Sequence, residues 1–599
     1  MNERIGVFVA WPYANGDLHL GHVAGVYLPA DIFARYHRLR GNHVLMVSGS
    51  DAHGTPITVS AERAGVSPRA FFEQYHHRFL ESFIGLGISF DLFTHTDTEN
   101  HAAVSQDIFR TLYERGHIHT EAMAQLYCET DQRFLPDRYV EGTCPYCGYP
   151  DARGDQCDNC GRTLDATELI NPRCKLCGNR PVVRETEHFF FDLPDFEPRL
   201  LDYIRQQQHW RPNVQRFVEN YLRGGLKSRP VTRDIEWGIP VPIPGYEHKV
   251  MYVWFEAVIG YLSASIEAAR NRGDATAWEA WWRDPAARGY YFIGKDNIPF
   301  HAIIWPAELM GYDERLNLPY DIPAAEFLNL EGRQFSTSRN WAVWLPDYLE
   351  RYAPDPLRYY LTAIAPETGD SEFTWRGYVE RNNNELVAAW GNLVNRVISF
   401  AVRHWDGRVP QPGALDARDN ELLDRIAAGF DTVGTLFGKA EARAALRETM
   451  GLAREVNRYL DDKGPWFQIK QDRDAAATTI FVALRAIDSL ATLFAPVLPF
   501  TSAEVKRFLG QPEPLFGDLV IEQFTEVERS HEALVYRPLP TEGTVDRWQP
   551  SELAPGQPLA RPRVLFQKLD ERVAEAERAR LLAASGAATA AGESDLRAE

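Results

Sequence analysis

Ala10-Trp11-Pro12-Tyr13-Ala14-Asn15-Gly16-Asp17-Leu18-His19-Leu20-Gly21-His22 decides how this chain is read. Just before it, Ile5, Val7 and Val9 alternate within an apolar run, the pattern of a short buried strand. Just after it, the apolar positions of residues 23–40 suit a helix, with a break or kink expected where Pro29 removes an amide donor. The stretch is therefore the first strand–loop–helix turn of an α/β domain. Ligands of such sheets sit beyond the carboxyl ends of the strands, where helix N-termini attract phosphate. His19 and His22 are one helical turn apart and point the same way. Gly21 between them leaves room for a flat ring against the backbone. Taken alone, H-x-G-H fits two surface histidines equally well. A metal pair fits less well, because no carboxylate or third histidine follows at ligand spacing.

The chain has 599 residues, enough for several domains, and 45% hydrophobic residues, enough for a large core. No long uninterrupted apolar run stands out as a membrane span, and the N-terminus opens directly into a strand without a secretory pattern, so a cytoplasmic enzyme is expected. The net charge of −19 gives no support to a nucleic-acid partner, yet a local basic face can still bind RNA on an acidic protein. All 7 cysteines fall between Cys128 and Cys177, which points to metal rather than to a disulfide scaffold.

Residues 43–54 read as a second buried strand ending in a polar turn, with Asp51 placed either to meet a ligand's positive charge or simply to form the turn. Cys144-Pro-Tyr-Cys147-Gly and Cys157-Asp-Asn-Cys160-Gly are two knuckles whose thiolates complete a tetrahedron around zinc. Cys174-Lys-Leu-Cys177-Gly is a third knuckle. Its partner is Cys128-Glu-Thr-Asp131, with an aspartate where a fourth cysteine belongs, giving either an unusual second zinc site or a degenerate one. Four protein ligands leave no open position, so both sites are expected to be structural. Val250–Ala257 is an apolar, β-rich run read as a return to the main sheet, and Tyr290–Asp296 is another strand ending in Gly294 and Asp296. A helix is expected over 297–310, with Pro299 in its first turn. Trp254, Tyr261 and His301 read singly as ordinary core residues. Glu331–Asn340 is either a mobile anion-binding loop or a solvated turn. From Tyr378 onward Leu386, Trp390, Leu393, Val397 and Ala401 form one apolar stripe, and helical patterns over about 420–439, 442–460 and 472–497 complete a bundle. After residue 510 no train of short strands is apparent. A last amphipathic helix is expected over 560–582, before a disordered Ala/Gly/Glu-rich tail.

Over about residues 4–510 this ordered set of motifs resembles the methionyl-tRNA synthetase family of class I aminoacyl-tRNA synthetases. The matching motifs are Pro12–Gly16 with His19–His22, Asp51-Ala-His-Gly-Thr-Pro56, the knuckles, Phe134–Arg138, Glu187–Leu193, Tyr252–Trp254 and Phe292–Asp296. The resemblance implies a Rossmann-like parallel-sheet catalytic domain (1–115 and 228–325), a zinc-knuckle insertion (116–227) and a linking domain with the second signature loop (326–377). An all-α helix-bundle anticodon domain (378–510) and a C-terminal extension (511–599) follow. It implies ATP-dependent attachment of L-methionine to initiator and elongator tRNA through methionyl-adenylate, with Mg2+ accompanying ATP, one or two structural Zn2+ and a monomeric chain. His19, His22, Ser336, Thr337 and Ser338 are implied to be catalytic, the histidines through electrostatic work on the phosphates. Asn15, Gly21, Gly294, Asp296 and Thr337 would bind ATP. Asp51 would pair with the substrate ammonium and Trp11 would offer backbone contacts. Tyr13, Trp254, Ala257, Tyr261, Asn297 and His301 would line the methionine pocket, where aromatic edges suit a thioether. Asn392, Arg396 and Trp466 match the family's anticodon readers, a stacking indole with hydrogen-bonding neighbours.

The second signature departs from the family's K-M-S-K-S or K-F-S-K-S form. Gln334-Phe335-Ser336-Thr337-Ser338 lacks both lysines; Arg333 and Arg339 flank it as substitutes that do not copy lysine's geometry, so slower or differently salt-dependent activation is expected. That departure also supports an alternative, a catalytically weakened paralogue acting as an RNA-binding or regulatory protein. Other class I synthetases are the nearer rival. The branched-chain members carry much larger editing inserts than 116–227 allows.

Overall fold

Ile5, Val7 and Val9 are fully buried on β1 (Arg4–Val9), an interior strand of the main sheet. The computed structural model describes residues 2–595 apart from 155, 156, 158, 161, 163 and 338. Among them, β1 pairs in parallel with β2 (His43–Ser50) and with β4 (Arg288–Gly294). β3 (Leu92–His95) extends the parallel array beyond β2, and β5 (Ala324–Ala325) extends it beyond β4. The carboxyl ends of β1, β2 and β4 thus open side by side, which is where the site forms.

The helix after the opening loop, α1 (residues 20–39), is continuous rather than broken. Val23–Tyr27 forms a π turn, closed by the Leu28 amide on the Val23 carbonyl, immediately ahead of Pro29. The wider turn absorbs the donor that proline lacks.

The segment Val250–Ala257 corrects the strand reading. Only Val250–Met251 is extended, and it pairs with Thr232–Arg233 rather than with the main sheet. From Val253 to Asn271 the chain is a helix, α2, buried on almost every side. A helix with no polar face leaves no 3.6-residue period in its sequence, so its β-branched start was the misleading signal. The expected helix over 297–310 is also subdivided, into a 3-10 turn (Lys295–Asn297), a π turn (Phe300–Ile304) and a helix (Trp305–Tyr312).

The insertion is a long antiparallel pair, Ile118–Cys128 with Val182–Phe191, and the cysteine knuckles cluster at its far end. Leu328–Leu330 and Arg333–Gln334 form a hairpin around Glu331 and Gly332, at φ 47° and 82°, the two left-handed residues such a tight turn requires. Leu386, Trp390, Leu393, Val397 and Ala401 are all fully buried along Asn382–Gly391 and Asn392–His404; the first segment packs on Ala442–Lys463 and the second on Arg473–Phe494, and Ala417–Gly438 joins those two to complete the bundle. Arg473–Phe494 is long and apolar enough to cross a bilayer by composition, but 94% of its most apolar window is buried in the bundle.

The residues after 510 differ most from expectation. β6 (Asp518–Thr525) and β7 (Ser530–Arg537) form a hairpin that returns to the main sheet, giving the order β5-β4-β1-β2-β3-β7-β6. Leu534 of β7 is fully buried opposite Phe93 of β3. The connection Glu526-Val-Glu-Arg529 carries no glycine, proline or asparagine, so nothing local announces the turn. The last helix starts at Arg572, not near 560, and runs to Asp595 through residues expected to be disordered. Its buried Glu577 accepts from Arg351 at 3.1 Å and from the Tyr352 hydroxyl at 2.8 Å.

Candidate active site

His19 occupies the N-cap of α1 in place of the usual serine or aspartate. Its Nδ1 accepts from the Gly21 and His22 amides at 3.1 and 3.4 Å, while the His19 amide donates to His22 Nδ1 at 3.3 Å. With both Nδ1 atoms acting as acceptors, the proton of each neutral ring is assigned to Nε2. The rings stack with centroids 3.7 Å apart. Burial lowers the His22 pKa to about 4, and burial together with His22 holds His19 well below the usual imidazole range. At neutral pH the pair therefore offers two N–H donors without net charge, at a helix N-terminus that favours anions.

The second signature loop lies directly on this pair. Phe335 stacks on the His19 ring at 4.7 Å, and a Cβ on Gly21 would come within 2.9 Å of His19 and 3.3 Å of Phe335. The flat rings that glycine admits are thus the protein's own. Ser336 and Trp341 exchange backbone hydrogen bonds at 3.0 and 2.9 Å, and the Leu20 amide donates to Val343 at 3.1 Å, so the two signatures share one backbone framework. Arg333 lies over the Trp341 ring at 4.8 Å, and Thr337 and Arg339 are exposed. Ser338 lies outside the described residues.

Asp51 follows β2 and is bridged to the first loop: its amide donates to Pro12 at 2.7 Å and its carbonyl accepts from Ala14 at 3.1 Å. Its side chain is buried, and burial together with Glu256 raises its pKa well above the ordinary carboxylate value. Trp11 is clamped between Gly49 and Gly260. A Cβ at Gly49 would overlap the indole, and one at Gly260 would lie 2.6 Å from it. Trp254, Ala257 and Tyr261 share one face of α2. Tyr13 meets Trp254 edge to face at 6.2 Å. His301 Nδ1 donates to the Asn297 carbonyl at 2.8 Å, so its Nε2 is the acceptor for the Tyr261 hydroxyl at 2.7 Å. Burial lowers the His301 pKa to about 4. Trp254 also stacks on Phe300 at 4.4 Å, and both line an apolar cavity of about 240 Å³ with Phe191, Arg233, Tyr252 and Phe255. Phe300 had no signal of its own in the sequence, being one aromatic in an apolar helix. Asn15 and Asp296 are exposed and Gly294 faces open space, in the first loop and at the carboxyl end of β4, and none of them lines that cavity.

The ligand atoms of Cys144, Cys147, Cys157 and Cys160 lie within 4.8 Å of one another, as do those of Cys128, Asp131, Cys174 and Cys177. Cys147 and Cys157 sulfurs are 3.6 Å apart and Cys144 and Cys160 sulfurs 4.0 Å apart. Zinc–sulfur bonds of 2.3 Å in a tetrahedron require edges of about 3.8 Å, so the donor set fits the ion. In the second group Asp131 Oδ2 stands 3.1 Å from Cys128 Sγ and 3.0 Å from Cys174 Sγ, pointing at the same centre.

In the bundle, Asn392 and Arg396 are exposed one turn apart, and the Arg396 guanidinium lies 5.0 Å over the half-buried Trp466 ring. Phe400 supports the indole edge-on at 4.9 Å. A half-buried indole with a cation over its ring suits stacking by an unpaired base.

Residues 5–398 match the family of class I tRNA synthetases (M), and residues 409–539 match the anticodon binding domain of methionyl tRNA ligase. A methionine–tRNA ligase of Thermomicrobium roseum is 72% identical, over 98% of this chain and 100% of its own. One from Chloroflexus aurantiacus is 52% identical, over 97% of this chain and 99% of its own. A solved structure of Mycobacterium tuberculosis methionyl-tRNA synthetase in complex with methionyl-adenylate matches with a TM-score of 0.74 at 25% identity, covering 94% of this chain and 100% of that one. With its signature histidines, paired cysteine knuckles and helix bundle in one chain, this protein belongs to the methionyl-tRNA synthetase family of class I.

Proposed function

We propose that the chain charges tRNA with L-methionine in two steps. The methionine carboxylate attacks the α-phosphate of ATP and pyrophosphate leaves. A ribose hydroxyl of the tRNA's terminal adenosine then attacks the carbonyl of the adenylate, and AMP leaves. The observation that carries this reading is the stacked His19–His22 pair at the head of α1, neutral and with its Nε2–H groups available. Its donors match the charge that gathers on the phosphate oxygens in the transition state.

In this reading Asp51 receives the substrate ammonium. Tyr13, Trp254, Ala257, Tyr261, Asn297 and His301 surround the thioether, and the Tyr261–His301 bond fixes the acceptor side of that imidazole. Asn15, Gly21, Gly294 and Asp296 hold ATP, accompanied by Mg2+. Ser336, Thr337 and Ser338 complete the phosphate side without a lysine. Zinc at the four-cysteine cluster, and at the Asp131 cluster, ties the insertion together and supplies no chemistry to the reaction. We assign catalysis to 1–115 with 228–325, the insertion to 116–227, the linking segment to 326–377, anticodon reading to 378–510 and the extension to 511–599. A cytoplasmic monomer serving initiator and elongator tRNA completes the proposal. No observation favours the RNA-binding paralogue.

The test is aminoacylation of initiator and elongator methionine tRNA with labelled methionine. Both transcripts are expected to be charged. Trp466→Ala is expected to lose about 100-fold or more in kcat/KM for tRNA, about 3 kcal/mol, while methionine activation without tRNA is unchanged. An unchanged kcat/KM for tRNA would remove Trp466 from the interface.

A further inference from the structure

Beneath the amino-acid pocket lies a buried polar cluster that none of the roles above uses. The fully buried Glu256, on α2, accepts from two imidazoles: His53 Nδ1 donates to Oε1 at 2.7 Å and His101 Nε2 donates to Oε2 at 2.6 Å. The other nitrogen of His101 meets Ser263 Oγ at 2.8 Å, and its ring faces the Trp11 indole at 6.2 Å with the planes 29° apart. The other nitrogen of His53 faces Asp97 at 3.9 Å. Asp97 in turn is paired with Arg69 at 2.7 Å and with Arg529 at 2.9 Å.

Of the three carboxylates here, Glu256 is paired with histidines and Asp97 with arginines, while Asp51 makes no ion pair among the described residues. The bond to its side chain is from the His53 backbone amide, on Oδ1 at 3.1 Å. A carboxylate held in such a place is costly to ionise unless a cation arrives. Neighbouring anions with their own partners do not compete for that cation.

We propose that His53, Glu256 and His101 are positioning residues of the amino-acid site: they satisfy one another so that Asp51 stays reserved for the substrate ammonium, and they hold His101 as the floor under Trp11. The proposal rests on the reading that Asp51 binds that ammonium. The electrostatics agree with the geometry. Burial alone would lower the His53 pKa, but Glu256 and Asp97 raise it to about 10, so it is an imidazolium across the physiological range. Burial opposes ionisation of Glu256, and His53 and His101 overcome it and hold its pKa below the ordinary value. His53 in turn lowers the pKa of Asp51 against burial and Glu256. Removing that imidazolium therefore moves Asp51 further up.

Three variants of the full chain, Asp51→Asn, His53→Gln and Glu256→Gln, are compared in methionine-dependent pyrophosphate exchange. KM is measured for methionine and for ATP, and kcat/KM for methionine is followed against pH. Asp51→Asn and His53→Gln are each expected to raise the methionine KM about tenfold or more, with the ATP KM within about twofold. His53→Gln is also expected to move the acid limb of the profile up by about one pH unit. A role in folding alone would move neither the limb nor the ratio of the two KM values. If His53→Gln does not melt cooperatively, Glu256→Gln carries the test through the methionine KM, because an amide has a single acceptor for the two imidazole N–H groups. A raised methionine KM in Asp51→Asn with none in His53→Gln or Glu256→Gln overturns the positioning role. An unchanged methionine KM in Asp51→Asn overturns the ammonium site itself, and the proposal with it.

Discussion

Phe335 lies on the His19 imidazole with ring centroids 4.7 Å apart and planes 14° from parallel, so a stacked contact joins the two signature segments beside the backbone bonds they share. The second signature loop is therefore held against the histidine pair proposed to bind phosphate, yet it offers Thr337 where the family's signature has a lysine. Arg333 is drawn onto the Trp341 ring. Thr337→Lys is expected to raise the rate of methionine activation by about tenfold or more, in line with about 1.4 kcal/mol or more of added charge stabilisation. Pre-steady-state pyrophosphate release measures it, and an unchanged rate contradicts the account of this loop.

The clamp on Trp11 predicts a sharp cost for one methyl group. Gly260→Ala places a Cβ 2.6 Å from the indole, on a helix backbone that cannot easily retreat. The expected loss is about 1–3 kcal/mol of stability, with a raised methionine KM. Thermal melts and exchange kinetics check both. A variant with wild-type melting and KM would show that the indole is free to move.

The two cysteine clusters predict metal in different strength. Elemental analysis is expected to return zinc at both, with Cys160→Ser losing the ion of the four-cysteine cluster. Asp131→Cys is expected to hold its zinc more tightly against a chelator, since thiolate is the softer donor. Zinc at the four-cysteine cluster alone would leave Cys128, Asp131, Cys174 and Cys177 as a hydrogen-bonded set.

Asp51 predicts a pH dependence with a definite sign. Its folded pKa is raised by burial and by Glu256, so its contribution to the free fold is present at low pH and is lost as pH rises through that pKa. Methionine supplies the missing cation only to the ionised form. The stabilisation of the fold by saturating methionine is therefore expected to grow as pH rises from the ordinary carboxylate range, about 4, toward neutrality. Melting curves with and without methionine measure it. A shift that shrinks over this range contradicts the role of Asp51.

Much of this was legible in the residues, for particular reasons. The alternation of Ile5, Val7 and Val9 and the spacing of His19 and His22 placed the site at the end of a strand, and β1 and α1 place it there. The cysteine spacing matched two clusters because each knuckle is a local structure, complete within a few residues. Val250–Ala257 misled because a helix buried on all sides has no period to read. The β6–β7 hairpin was missed because its turn lacks glycine and its pairing with β3 joins segments far apart in the chain. The His53–Glu256–His101 cluster was invisible for the same reason: three elements distant in sequence converge on one carboxylate.

The most direct test of the account is methionine-dependent exchange of labelled pyrophosphate into ATP by the purified, zinc-loaded chain without tRNA. Exchange with methionine, and with no other amino acid, is the predicted result, and His19→Ala and His22→Ala should each slow it by about 100-fold or more. Folded protein that supports no exchange would contradict the assignment of this site to methionine activation.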